Sequence, residues 1–155
     1  MLEDGKLDFA IVEGYFQKSG YENQILSNEK YVLVCGANYP LEKGMELKDL
    51  FCHNLLLRED GSGTKEILER YLLEHGYTFS DFSNTVVLSS IHVIKQLLAT
   101  GYGISFMYEI AVKKEVEEGI LKIVPVQNFD VHHEFNTIWR KNSVFCDYFK
   151  TISSL

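Results

Sequence analysis

The sequence predicts an α/β fold with mainly parallel sheets. Short apolar runs alternate along it with amphipathic helical runs, and the clear helical runs each stop at a glycine. Strands joined by short helices imply right-handed crossovers between parallel neighbours. At 155 residues the chain can bury one ordinary core, which predicts one domain with room for two lobes.

The first apolar run is Leu7 to Val12, and an uninterrupted strand of this type reads as buried and paired on both sides. Leu2 and Gly5 just before it read as a helix tail with its glycine cap. The expectation is that an upstream βα unit belongs to the same fold and that this chain is a fragment of it. A polar loop follows, and Tyr31 to Cys35 is a second strand, punctuated by Gly36 and Pro40. Met45 to Phe51 is a short helix and Asn54 to Arg58 a third strand.

The clearest helix runs from about Thr64 to His75, with Ile67, Leu68, Tyr71 and Leu72 at helical spacing and Gly76 at its end. Thr85 to Leu88 is a fourth strand, and Ser89 or Ser90 caps a helix that Gly101 closes. Ile104 to Met107 is a fifth strand, Ile110 to Glu118 a helix stopped by Gly119, and Leu121 to Val126 a sixth strand. His133 to Arg140 is the seventh, and a last helix starts near Ser143.

A formal net charge of -7 sets the chain as a whole against a phosphate backbone, so by itself it is a poor DNA binder. Cys35, Cys52 and Cys146 are odd in number and widely spaced, which fits reduced thiols rather than a disulfide scaffold or metal motif. No apolar run reaches the ~20 residues of a membrane span, and the acidic start is unlike a signal peptide. The cytoplasm is the expected compartment.

Leu57 to Thr64 is a strand end, a glycine-rich turn and a helix start. This order aims backbone N–H groups and the Ser62 and Thr64 hydroxyls at the positive end of a helix dipole, a setting that holds a small anion. The same residues would equally serve as a plain turn with a helix cap. Lys65 follows Thr64 rather than preceding it, so this is not a nucleotide P-loop. Ser89 and Ser90 repeat the arrangement at the next helix, again with plain capping as the alternative.

Catalytic patterns do not assemble. Gly103-Ile104-Ser105-Phe106-Met107 ends in Met where a nucleophile elbow needs glycine, and Ser105 reads as strand. His132 and His133 are adjacent rather than one helical turn apart. No enzyme activity, metal or cofactor is expected.

Taken in order, these segments resemble the effector-binding domain of LysR-type transcriptional regulators. The resemblance rests on Leu-x-x-Gly-x-Leu-Asp-Phe-Ala-Ile-Val-Glu-Gly at Leu2 to Gly14, the Pro-Leu-ended strand Tyr31 to Leu41, and Arg58 to Thr64. It continues through Ser89 to Phe106, with Gly101-x-Gly-Ile-Ser-Phe, and through Ala111 to Leu121. It implies a two-lobed, type II periplasmic-binding-protein-like fold. The first lobe would be 1–31 and 124–155, the second about 36–121, and the hinge strands 31–35 and 121–126. The winged helix-turn-helix, the linker helix and the first lobe's opening strand and helix have no counterpart in this sequence, so the first lobe and its half of the site would be incomplete.

The resemblance further implies a small anionic metabolite held between the lobes to control DNA binding by the full-length protein, with DNA touched only through the N-terminal domain. Gly61, Ser62, Gly63, Thr64, Ser89, Ser90, Phe106 and Met107 would form the site at the carboxyl edge of the sheet, Phe106 and Met107 as its walls. A homodimer is the expected assembly, both from the family and from apolar surface left uncovered. A solute-binding receptor of a transport system is the alternative function.

Overall fold

The computed structural model describes residues 2, 5–13, 18–141, 143, 148 and 151. Of the expected last helix from Ser143 only Ser143, Tyr148 and Thr151 are described, and the rest of it, Cys146 included, lies outside the described residues. The chain forms two compact units, one of residues 1–29 and 132–155, the other of residues 30–131.

In the first unit, β1 (Phe9–Glu13) pairs antiparallel with β7 (Val131–Arg140), Phe9 opposite Trp139 and Glu13 opposite Phe135. Next to β7 in the sheet order comes β2 (Tyr21–Gly36). Trp139, 1% exposed, donates its indole N–H to the Glu22 carboxylate at 3.2 Å. Asn23 donates its side-chain amide to the Asn136 side-chain oxygen at 2.9 Å.

Among the described residues Phe9 and Ile11 of β1 are exposed, and β1 stands at the end of the sheet order beside β7. One expectation is corrected in this unit. Residues Tyr21 to Lys30, expected as polar loop, are strand. Their polar side chains can remain at the surface while the backbone joins a sheet, so composition concealed the strand.

The second unit takes over β2 from Lys30 and contains the remaining β-strands and α-helices. In chain order these are β3 (Asn54–Arg58), α1 (Gly63–Glu74), β4 (Asn84–Leu88), α2 (Ile91–Ala99), β5 (Ile104–Tyr108), α3 (Lys113–Glu117) and β6 (Leu121–Val124). The strand order is β2-β5-β3-β4, with β6 also on β2. β3 is parallel to both β4 and β5, whereas β2 is antiparallel to both β5 and β6.

The sheet is therefore mixed rather than mainly parallel. The crossover rule governs β3, β4 and β5, which α1 and α2 connect; β2 and β6 join them by other routes, so no crossover dictates their direction. The segment expected as a second hinge, 121–126, lies within the 30–131 unit, where Ile123 pairs with Val34 and Val126 bridges Met45.

Packing follows the pleat. Val32, Val34, Leu56 and Met107 meet Ile94 and Leu98 of α2, together with Val112 and Leu121, in one buried cluster. Leu55 and Leu57 alternate with Leu56 along β3, and the buried residues of α1 are Ile67, Leu68 and Leu72. Each helix stops where the sequence predicts. After α1, Gly76 at φ +80 donates to the Leu73 carbonyl and Tyr77 to Leu72; Gly101 and Tyr102 repeat this after α2, and Gly119 and Ile120 after α3. This paired arrangement satisfies carbonyls that a helix end would otherwise leave open.

Between β3 and β5 the backbones come unusually close. A methyl built on Gly103, which is buried, would fall under 3.0 Å from the Asn54 carbonyl oxygen. Asn54 further ties the two strands by donating its side-chain amide to the Tyr102 carbonyl at 2.8 Å.

Candidate functional site

Strands β3, β4 and β5 are parallel, so their carboxyl ends share one edge of the sheet. Out of that edge come the starts of α1 and α2 and the end of β5. The turn after β3 closes with Ser62 N–H donating to the Glu59 carbonyl at 3.2 Å, and Gly61 occupies its third position at φ +83. Glycine suits that position because a Cβ is disfavoured in the left-handed region.

The ladder of α1 begins with Lys65 and Glu66 donating to the Ser62 carbonyl, which leaves the amides of Gly63 and Thr64 ahead of it. Ser62 is the N-cap residue in extended conformation, yet its side chain makes no cap bond. The hydroxyl is thus not consumed by capping, and the helix start presents it with two amides at the dipole's positive end. At α2 the roles divide: Ser90 caps the helix, accepting from the Val93 amide at 3.5 Å, and Ser89 beside it is exposed.

Phe106 and Met107 lie on opposite faces of β5. Adjacent strand residues project to opposite faces; Met107 is in the cluster against α2, while Phe106 stacks on Tyr31, whose hydroxyl donates to the Thr64 carbonyl of α1 at 2.7 Å. Both are buried. Of the eight expected residues, the structure gathers Gly61 to Thr64, Ser89 and Ser90 at helix starts on one edge, and places Phe106 beneath α1.

Charges at this edge are already paired. Arg58 grips Glu59 through two hydrogen bonds of 2.9 Å, and this contact holds the Glu59 carboxyl down at about 2. Lys65 pairs with Asp60. The residue that sequence reasoning missed as part of the site is Tyr31, 1% exposed, read there only as the start of a strand and hinge. A buried tyrosine needs a partner for its hydroxyl, which is a signal that one exists but not where.

Ser105 also has a settled role. Its hydroxyl donates to the Leu56 carbonyl at 2.7 Å within the sheet. Among the described residues no group of three His, Cys, Asp or Glu side chains could hold a metal ion. Among them, too, no helix is long and apolar enough to cross a membrane.

Comparison with known proteins bears on the whole chain. Residues 1–145 match the family described as LysR substrate binding domain. Over 132 residues the chain is 37% identical to an uncharacterized HTH-type transcriptional regulator of Methanocaldococcus jannaschii, covering 84% of this chain and 44% of that protein. Over 141 residues it is 24% identical to the HTH-type transcriptional regulator CbbR of Rhodospirillum rubrum, covering 91% and 46%. The chain thus spans about half the length of these curated relatives.

Among solved structures, the regulatory domain of CcmR from Synechocystis in complex with 2-PG superposes with a TM-score of 0.78 at 21% identity, covering 98% of this chain and 76% of that one. The OxyR2 regulatory domain from Vibrio vulnificus does so with a TM-score of 0.81 at 17% identity, covering 98% and 72%. At such identities these likenesses show the fold, which is the type II periplasmic-binding-protein-like fold of LysR regulatory domains. The family match over nearly the entire length goes further: this chain belongs to the LysR substrate-binding domain family.

Proposed function

We propose that the chain senses a small anionic metabolite at the carboxyl edge of β3, β4 and β5, and that the occupied state alters DNA binding by a longer regulator acting as a dimer in the cytoplasm. The observation that carries this reading is the Ser62–Thr64 helix start, with two amides ahead of the ladder and a hydroxyl not used as a cap. Ser89 and Ser90 add hydroxyls from the neighbouring helix start. The chain's two crossings between its compact units, in β2 and at the start of β7, are the natural hinge. DNA contact belongs to a separate helix-turn-helix domain, as the relatives' HTH designation suggests.

Sensing rather than catalysis fits the chemistry. Ser105 is buried and its hydroxyl is engaged with a backbone carbonyl, so it is not poised as a nucleophile. The relatives named above are regulators and none is a transport receptor, so the solute-receptor alternative has no support. That the CcmR regulatory domain is found in complex with 2-PG makes 2-PG, with inorganic phosphate and sulfate, a reasonable first probe.

Calorimetric titration of the chain and of its Thr64→Val and Ser89→Ala variants with these three anions is the test. A charge-assisted hydrogen bond contributes about 1.5–3 kcal/mol, so each variant should bind about tenfold or more weakly. Unchanged affinity in both variants, for an anion that does bind, would put the site elsewhere.

A further inference from the structure

We infer that Tyr31 and Phe129 form an aromatic clamp that makes the first turn of α1 and both chain crossings of the 30–131 unit one mechanically coupled element. The unit is entered at Lys30 and left at Val131, and each aromatic residue sits within two positions of one of those points. Tyr31 donates its hydroxyl to the Thr64 carbonyl in the first turn of α1. Phe129 lies 4.6 Å from the Tyr71 ring of the same helix, 5.0 Å from Phe106 and 6.3 Å from Tyr31.

The exit is fixed a second time. Tyr71 donates its hydroxyl to the Asn128 carbonyl at 3.0 Å, and Asn128 is the one non-glycine residue at positive φ among the described residues. Asparagine tolerates that conformation better than most residues, but it still needs neighbours to hold it. Entry and exit are thus anchored to one helix by tyrosine hydroxyls, with a shared aromatic contact between them. Nothing in the helix or sheet ladders requires this: β2 is already paired through Tyr31 with Tyr108 of β5. A displacement of the Ser62–Thr64 turn therefore has a short path, through Thr64 and Tyr31, to the point where the chain enters.

Hydrogen exchange by mass spectrometry on the 155-residue chain tests the clamp without any ligand. Tyr31→Phe removes only the hydroxyl, and Phe129→Leu loosens the aromatic contact at similar volume; circular dichroism melts verify that each folds. Loss of one hydrogen bond corresponds to about fivefold faster local exchange. Tyr31→Phe should speed exchange by about that factor in 65–68 and also in 129–133, and Phe129→Leu should do so in 129–133 and in 65–68. Faster exchange confined to the segment next to each substitution would overturn the proposal.

A second arm rests on the anion-sensing reading above and uses 2-PG. In the parent chain 2-PG should protect 62–66 together with 29–32 and 129–133; in Tyr31→Phe protection of 62–66 should persist and protection of the crossings should fall. Equal protection of the crossings in both chains would also overturn the clamp. If 2-PG protects nothing, the sensing reading loses its support for this anion, and the ligand-free arm alone decides the clamp.

Discussion

Replacing Gly103 by alanine tests the closeness of β3 and β5 directly. The new methyl would meet the Asn54 Cβ at 2.9 Å and its carbonyl carbon at 3.1 Å, with the carbonyl oxygen closer still. Ordinary contact begins at about 3.4 Å, so the strands must part by at least half an ångström. The obstacle is backbone, which cannot escape by changing rotamer, and the ladder just beyond it pairs Leu55 with Ile104 and Leu56 with Ser105. Overpacking costs about 1–3 kcal/mol, and a backbone obstacle belongs at the upper end, about 3 kcal/mol. For a chain of this size that lowers Tm by about 6–12 °C. Gly20→Ala is the control, since its methyl would meet nothing within 4 Å and its φ is not positive; it should change stability by less than about 0.5 kcal/mol. Gly61→Ala separates conformation from crowding, with open space but φ +83, and should cost about 1 kcal/mol. Urea unfolding followed by far-ultraviolet circular dichroism gives all three values. If Gly103→Ala proved as mild as Gly20→Ala, the close approach would not exist in solution and the reasoning would be refuted.

The two cysteines of the second unit should differ in reactivity. Cys35 is buried, and burial pushes its thiol up to about 11, whereas Cys52 is exposed. In a Cys146→Ser background, a thiol reagent at pH 8 should label one site rapidly, and Cys52→Ser should remove that phase; two equally fast sites would contradict the burial of Cys35. Lys95 pairs with Glu115 and also donates to the Ala111 carbonyl, and the ammonium's hydrogen bond holds the Glu115 carboxyl below its ordinary value. A depressed carboxyl stabilises the fold above its unfolded value and loses that contribution as pH falls through its folded one. Glu115→Gln should therefore cost about 1–2 kcal/mol near pH 7 and less near pH 3; urea midpoints that differ from the parent equally at both pH values would exclude the pair as the cause.

What was legible in the sequence is what the chain decides locally. Gly76, Gly101 and Gly119 all end helices as read, because the motif they complete needs only the last helical turn and one residue that accepts positive φ. The alternation of strand and helix from Asn54 to Tyr108 likewise survives, since each connection is short and obeys the crossover rule. Tyr21 to Lys30 was not legible, because its strand state depends on partners more than a hundred positions away, as the Asn23 to Asn136 bond illustrates. The mixed character of the sheet was hidden for the same reason: it follows from where β2 and β6 insert, which no local pattern encodes.

The candidate site divides along the same line, and the division explains its chemistry. Hydroxyls and amides at Ser62 to Thr64, and at Ser89 and Ser90, follow from being the residues after parallel strands, so their common edge could be inferred before any side chain was seen. Met107 could have been set apart from Phe106 by the two-residue period of a strand alone. The charges could not be assigned this way. Arg58 and Lys65 flank the turn, and each is engaged by its own carboxylate, Glu59 and Asp60. Asp60 is 94% exposed, so its pair with Lys65 is the weaker kind that solvent and salt screen. An anion arriving at the turn would therefore be held first by fixed backbone amides and hydroxyls, which lose no partner on binding. Competition with Asp60 for Lys65 would then make the affinity dependent on salt.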